Sequence, residues 1–241
     1  MNIHWETREN FLDAVTQKIN PTFIVLDVGA GIRPQSFFIP AVHVIIEPFH
    51  PYIETLQNQL PRNARIVFLK GTWNEAMPII PDKSIDTLFA IDVIEHMEKE
   101  DGRRFLKEAE RISRVQVALF TPLGFYKQEY DHEDSTDRWG MKGGYWQRHL
   151  SGWEPGDFDE SWDIIACKDF HLIDQNENEL DEPQGAFWAI RTFANAIAPL
   201  EERISASEFP LKKLIKYTSL RFKLKIIEKF HLLMNKLFNK N

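Results

Sequence analysis

The sequence predicts an α/β fold: a mostly parallel sheet of seven strands with helices on both faces, followed by a basic helical tail. Three observations carry this expectation. Apolar runs of strand length recur between residues 23 and 193. The first five read as near-continuous Val, Ile, Leu and Phe rather than as strict alternation, which marks strands covered on both faces. Helix-forming stretches separate them, as crossover connections between parallel strands require.

The elements follow in order. A first strand, Phe23–Val28, runs into Gly29-Ala30-Gly31, and a brief helix is expected near Gln35–Ile39. His43–Ile46 is the second strand, Pro51–Leu60 a helix and Arg65–Leu69 the third strand. A helical turn around Trp73–Met77 precedes the fourth strand, Ile85–Ile91. Glu98–Ser113 holds good helix formers, and Val115–Thr121 is the fifth strand. Leu123–Glu160 is rich in Gly, Asp, His and aromatics and is too long for an ordinary connection. Two last strands, Trp162–Phe170 and Gly185–Phe193, flank the acidic loop Asp174–Glu182. The expected division is one domain over 1–198, with an acceptor-binding insertion at about 122–160, and an extension over 199–241.

Composition narrows the function classes. Hydrophobic residues make up 43% of the 241, enough for a full core and too many for a disordered chain. The one cysteine, Cys167, excludes an internal disulfide and is expected as a buried thiol. The opening residues lack the apolar run of a signal peptide, and no stretch reaches the roughly 18 apolar residues of a membrane span. A cytoplasmic protein is expected. The net charge of −7 is uneven. Residues 211–241 hold nine lysines and arginines against Glu228 alone, a net +8, whereas the rest has 20 bases and 35 acids, a net −15.

The stretch Val25-Leu26-Asp27-Val28-Gly29-Ala30-Gly31 carries most of the chemistry. A strand enters two glycines spaced for a tight turn and close ligand approach. Glu47 ends the next strand, 20 positions after Asp27, where a carboxylate can accept hydrogen bonds from both ribose hydroxyls. A dinucleotide would need a third glycine and a helix N-terminus facing its pyrophosphate. Pro34 stands at the third-glycine position, the helix is stunted, and Asp27 would repel a pyrophosphate. A sulfonium- and ammonium-bearing cofactor suits Asp27 better.

These residues resemble the class I S-adenosylmethionine-dependent methyltransferases. The resemblance spans roughly Phe23 to Phe193 and rests on Asp27-Val28-Gly29-Ala30-Gly31, on Ile46-Glu47-Pro48, on Ser84 to His96, and on Thr121-Pro122-x-Gly124. It implies a Rossmann-like sheet and S-adenosylmethionine held by Asp27, Gly29, Gly31, Glu47, Thr72, Trp73 and Asp92. One departure is that Gly71-Thr72-Trp73 stands where the family often has an Asp for the adenine amino group; Thr72 and Trp73 would frame the base instead. For a hydroxyl acceptor a base must remove the proton, and His96, His132 and His149 are the candidates. The catalytic set expected is His149, His96 and Glu95.

Asp92, Glu95 and His96 lie at helical spacing i, i+3, i+4. With His149 they look like the metal-binding acid–acid–His and downstream His of 2′-O-methyltransferases of small-RNA ends, which carry Glu where Asp92 stands. A divalent metal is admitted by this pattern but not favoured. The insertion holds Phe125, Tyr126, Tyr130, Trp139, Tyr145, Trp146, Trp153 and Trp162 among Asp131, His132, Glu133, Asp134 and Asp137. Aromatic faces beside carboxylates suit sugar rings, while an acidic segment disfavours nucleic acid. The resulting expectation is O-methylation of a sugar, glycan or small-molecule acceptor. A non-catalytic binding or scaffold protein of the same fold, and a metal-assisted 2′-O-methyltransferase of RNA ends, are the alternatives.

In the tail, Leu211, Leu214, Ile215, Phe222, Ile226, Phe230, Leu233 and Leu237 recur at helical spacing among lysines. A basic amphipathic helix over 211–241 is expected, either docked on the acidic body or lying peripherally on an anionic membrane surface, which would be the inner face of the membrane.

Overall fold

A computed structural model of the chain describes residues 2–60 and 65–193. The extension 199–241, with its expected amphipathic helix, lies outside them.

The strands are β1 (Asn2–Trp5), β2 (Ile24–Val28), β3 (Val42–Glu47), β4 (Ile66–Lys70), β5 (Ile85–Ile91), β6 (Ser113–Pro122), β7 (Asp163–Ile173) and β8 (Glu179–Thr192). The helices are α1 (Arg8–Thr16), α2 (His50–Gln59), α3 (Trp73–Ala76) and α4 (Lys99–Ile112). One sheet contains every strand in the order β1-β7-β8-β6-β5-β2-β3-β4. The pairs from β4 to β6 are parallel, β8 runs antiparallel to both β6 and β7, and β1 lies parallel to β7. The mostly parallel α/β sheet is therefore as expected, with one strand more than the seven that the sequence pattern supplies.

Side chains alternate across the sheet because successive Cβ atoms point to opposite faces. Leu26, Val28, Ile46, Leu88 and Ala90 pack with Ala76 of α3 and with Phe105, Ala109 and Ile112 of α4. Val25, Phe89, Ala118 and Phe120 face the other way, against Phe11 and Val15 of α1. Ile45 meets Leu56 of α2 on its own patch. With both faces covered, β5 is buried at every position but its last, Asp86 and Thr87 included, and the apolar run Leu88–Ile91 encodes that burial.

Three expectations change. Gln35–Ile39 is not a helix. The backbone N–H of Gln35 donates to Asp27 Oδ2 at 2.7 Å, and its side chain bonds the backbone of Phe37 and Phe38, closing a compact turn instead. Most of the stretch Asp174–Glu182 is a hairpin rather than a loop. Asp174 Oδ1 accepts from the N–H groups of Asn176 and Asn178, Glu177 adopts φ 67°, and β8 starts at Glu179. Finally, Asp92, Glu95 and His96 do not share a helix face: Asp92 has φ 53°, and only Ile94–His96 make a 3-10 turn.

Candidate active site

The carboxyl ends of β2, β3, β5 and β6 meet at one edge of the sheet, where a parallel fold binds its ligands. At the end of β2, Gly29 (φ +65°) donates its N–H to the Ile46 carbonyl at 2.8 Å. A Cβ there would lie 2.9 Å from Val93 Cγ2, and the left-handed backbone would be strained as well. Gly31 (φ +54°) turns its N–H onto Glu47 Oε2 at 2.9 Å, and Phe49 donates to Oε1 at 2.9 Å. Glu47 thus ends β3 locked in place and nearly fully buried. Burial pushes its carboxyl up to about 7, against the two backbone donors that favour the charged form.

Two cavities open on this edge. The first, of about 290 Å³, is lined by Gly29, Gly31, Glu47, Thr72, Trp73 and Asp92, among others. The second, of about 570 Å³, is lined by Arg8, Tyr126, Arg138, Trp139, His149 and His171, among others. Gly29, Gly31, Asp92, His96 and Gln147 line both, so the two spaces share a wall.

Six of the seven residues expected at the cofactor, Gly29, Gly31, Glu47, Thr72, Trp73 and Asp92, line the first cavity. Asp27 does not. It is buried behind the loop, accepting from the Gln35 N–H and standing 3.4 Å from His43 Nε2. Its part is to brace the glycine turn. Thr72 caps α3: its N–H and its hydroxyl both donate to Glu75 Oε2, at 2.8 and 2.7 Å, which sets Trp73 against the cavity. Asp92 is open to both cavities yet surrounded closely enough that desolvation holds its carboxyl up at about 6.

The residues fit S-adenosylmethionine by their donor set. Glu47 offers acceptors for ribose hydroxyls, Trp73 offers a flat face for the base, and Asp92 offers a negative charge to the ammonium and sulfonium end.

Beside Asp92, the insertion docks on the 3-10 turn. Leu150 and Ser151 donate backbone N–H groups to the Glu95 carbonyl at 2.7 and 3.1 Å. Trp153 Nε1 donates to the Ile94 carbonyl at 3.1 Å. This brings His149 to His96, with ring centroids 4.9 Å apart. His96 Nδ1 bonds the Arg148 carbonyl (3.0 Å), and His149 Nδ1 bonds the Tyr126 carbonyl (2.6 Å). A carbonyl can only accept, so both rings carry their proton on Nδ1 and leave Nε2 bare. Burial pushes His96 down to about 3 and His149 to about 4, so both are neutral at pH 7. Glu95 accepts from Thr121 Oγ1 at 3.0 Å and is pushed well up by burial and then by the Asp92 charge.

Glu95, His96 and His149 offer ligand atoms within 4.8 Å of one another. A divalent cation would fit this donor set, displacing the proton of Glu95, with both imidazoles already oriented by backbone carbonyls.

His132 lines neither cavity and is exposed. The acids of the insertion are not in the acceptor space either. Asp131, Glu133 and Asp134 are exposed outside it, and buried Asp137 binds the Tyr52 hydroxyl (2.5 Å) and the N–H groups of Trp139 and Met141. Of the aromatics, Tyr126 and Trp139 line the second cavity, Tyr145 and Trp146 the first, while Trp153 and Trp162 are core. Residues the sequence reading did not single out are Arg8, Arg138, Gln147 and His171. Each comes from a different segment, and nothing in their spacing connects them.

Residues 26–120 match a family profile described as a methyltransferase domain. Among solved structures, TehB from Haemophilus influenzae shares the fold at a TM-score of 0.51 and 15% identity, over 77% of this chain and 62% of that one. A SAM dependent methyltransferase from Archaeoglobus fulgidus aligns at a TM-score of 0.48 and 12% identity, over 77% of this chain and 92% of that one. Magnesium protoporphyrin IX methyltransferase from Synechocystis PCC 6803, solved with bound SAM, aligns at 0.44 and 14%, over 77% and 79%. No curated protein matches in sequence.

Proposed function

We propose that this chain, whose residues 26–120 match a methyltransferase domain, is a class I S-adenosylmethionine-dependent methyltransferase that methylates a hydroxyl group of a sugar-bearing acceptor held in the second cavity. The observation that carries this reading is the shared wall: Asp92, His96 and Gln147 line both spaces, and His149 borders the junction from the acceptor side.

Bound S-adenosylmethionine supplies an electrophilic methyl group on a sulfonium. The protein's share is alignment and proton removal. Asp92 and Glu47 hold the two ends of the first cavity, fixing where the methyl points, and such alignment can supply much of the rate. His149 is tautomerically fixed, with Nε2 free to accept the hydroxyl proton as the acceptor oxygen takes the methyl. Its low basicity keeps it unprotonated across the neutral range. The near-parallel rings of Tyr126 and His171 (4.9 Å, 15°) offer a flat face for a sugar.

The Glu95–His96–His149 cluster favours one further reading, in which a divalent cation lowers the pKa of the acceptor hydroxyl, as in methylation of a ribose 2′-hydroxyl at an RNA end.

The test is turnover to S-adenosylhomocysteine with sugar acceptors, with and without EDTA. His149→Ala should lower kcat by roughly 10²–10⁴ with S-adenosylhomocysteine affinity unchanged. Full activity of that variant would remove His149 as the base, and activity indifferent to EDTA would remove the metal.

A further inference from the structure

The second cavity is defined as much by its charges as by its rings. Arg8 enters it from α1 and Arg138 from the insertion, and both act electrostatically on His171 at its wall. Arg138 also acts on Asp92 and on Tyr126. In this acidic body Arg103, Arg104, Arg111, Arg114 and Arg191 each bind a carboxylate, whereas Arg33, Arg65 and Arg148 do not. Among the described residues Arg8 and Arg138 likewise have no such partner, although acids outnumber bases in the chain by 36 to 29.

Two carboxylates line the cavity. Asp174 is spent on its own turn, accepting from the N–H groups of Asn176 and Asn178 and from Asn178 Nδ2. Asp92 stands at the junction, on the cofactor side. A third arginine, Arg33, follows the glycine turn and lines the same cavity.

We propose that Arg8 and Arg138 form an oxyanion-binding end of the acceptor cavity, so that the acceptor carries a phosphate or carboxylate beside the hydroxyl that is methylated. This rests on the acceptor reading of the second cavity and narrows it. Guanidinium forks match either oxyanion through paired N–H donors.

The experiment titrates S-adenosylhomocysteine-saturated protein with inorganic phosphate, with glucuronate and with glucose, by calorimetry. Binding of phosphate or glucuronate, with glucose weaker by roughly tenfold or more, is the expected result; the tighter of the two anions identifies the oxyanion. Arg8→Gln/Arg138→Gln should abolish that preference while binding S-adenosylhomocysteine as the wild type does, and Arg138→Lys should retain part of it. Equal binding of glucose and both anions, or anion binding unchanged in the double variant, would overturn the proposal. If wild-type protein fails to bind S-adenosylhomocysteine, the methyltransferase assignment itself fails. The arginines are then still tested by phosphate titration of the cofactor-free protein and its double variant.

Discussion

Glu47 shows how one side chain sets a binding profile. Its carboxyl sits at about 7 because desolvation outweighs two backbone hydrogen bonds. In the proposed complex ribose hydroxyls would donate to the ionised form, so binding would select that form. S-adenosylhomocysteine should therefore bind roughly tenfold more weakly at pH 6 than at pH 8, and Glu47→Gln should bind weakly and remove this dependence between the two pH values. Calorimetry at pH 6, 7 and 8 checks it; a wild-type profile as flat as the variant's would show that the carboxylate does not meet the ligand. Glu47 and the two glycines were legible in the sequence because each follows a strand whose end is unmistakable. The separate duty of Asp27 was not, since its partners Gln35 and His43 become neighbours only once β2 and β3 pair.

Elements of uniform burial were the legible ones. β2, β3 and β5 announce themselves by mostly apolar runs of strand length, whereas β1 is four residues of mixed polarity and α1 buries only Phe11 and Val15. Neither offers a periodic signal long enough to read. The segment His149–Trp153 is a harder case: its sequence says nothing of the 3-10 turn it locks. Its anchor is Trp153, which is fully buried, takes Lys99 Nζ over its ring at 3.9 Å and lies against Gly102 of α4. A Cβ on Gly102 would sit 2.3 Å from Trp153 Cζ2. Replacing a mid-helix glycine by alanine ordinarily stabilises by about 0.5–1 kcal/mol, but overpacking costs about 1–3 kcal/mol. The ring is held by its bond to the Ile94 carbonyl and cannot retreat cheaply, so the second effect wins. Gly102→Ala should be less stable than wild type in urea, with activity falling as His149 shifts from His96. A stabilised, fully active variant would show that the indole is free to move.

Across the whole molecule, two sets of buried titratable groups oppose each other. His96, His149 and His171 are pushed down to about 3, 4 and 4, all first by burial. Their contribution to stability is complete above pH 6.5 and is lost as the pH falls towards 4, because the unfolded chain takes up the protons first. Glu47 and Asp92, raised to about 7 and about 6, and Glu95, raised well above its usual range, act in the other sense: their contribution is complete below about pH 4 and is lost as the pH rises through and beyond 6 to 7. Between pH 5 and 6.5 the two trends offset, and the melting temperature should change little. Glu47→Gln deletes part of the second trend, so its melting temperature should climb from pH 5 to 6.5 where the wild type stays level; parallel curves in scanning calorimetry would contradict this. The sheet order carries a consequence of another kind. Asn2 to Trp5 pair with Asp163 to Ala166, the longest sequence separation of any strand pair in the sheet. On the ribosome, the strands around Glu47 and Asp92 have their partners once β6 has emerged, but β1 waits for β7. Long-range pairing of this kind is slow to form. Synthesis therefore completes the donor half of the molecule first, and Arg8 reaches its place only when the last hairpin arrives to receive it.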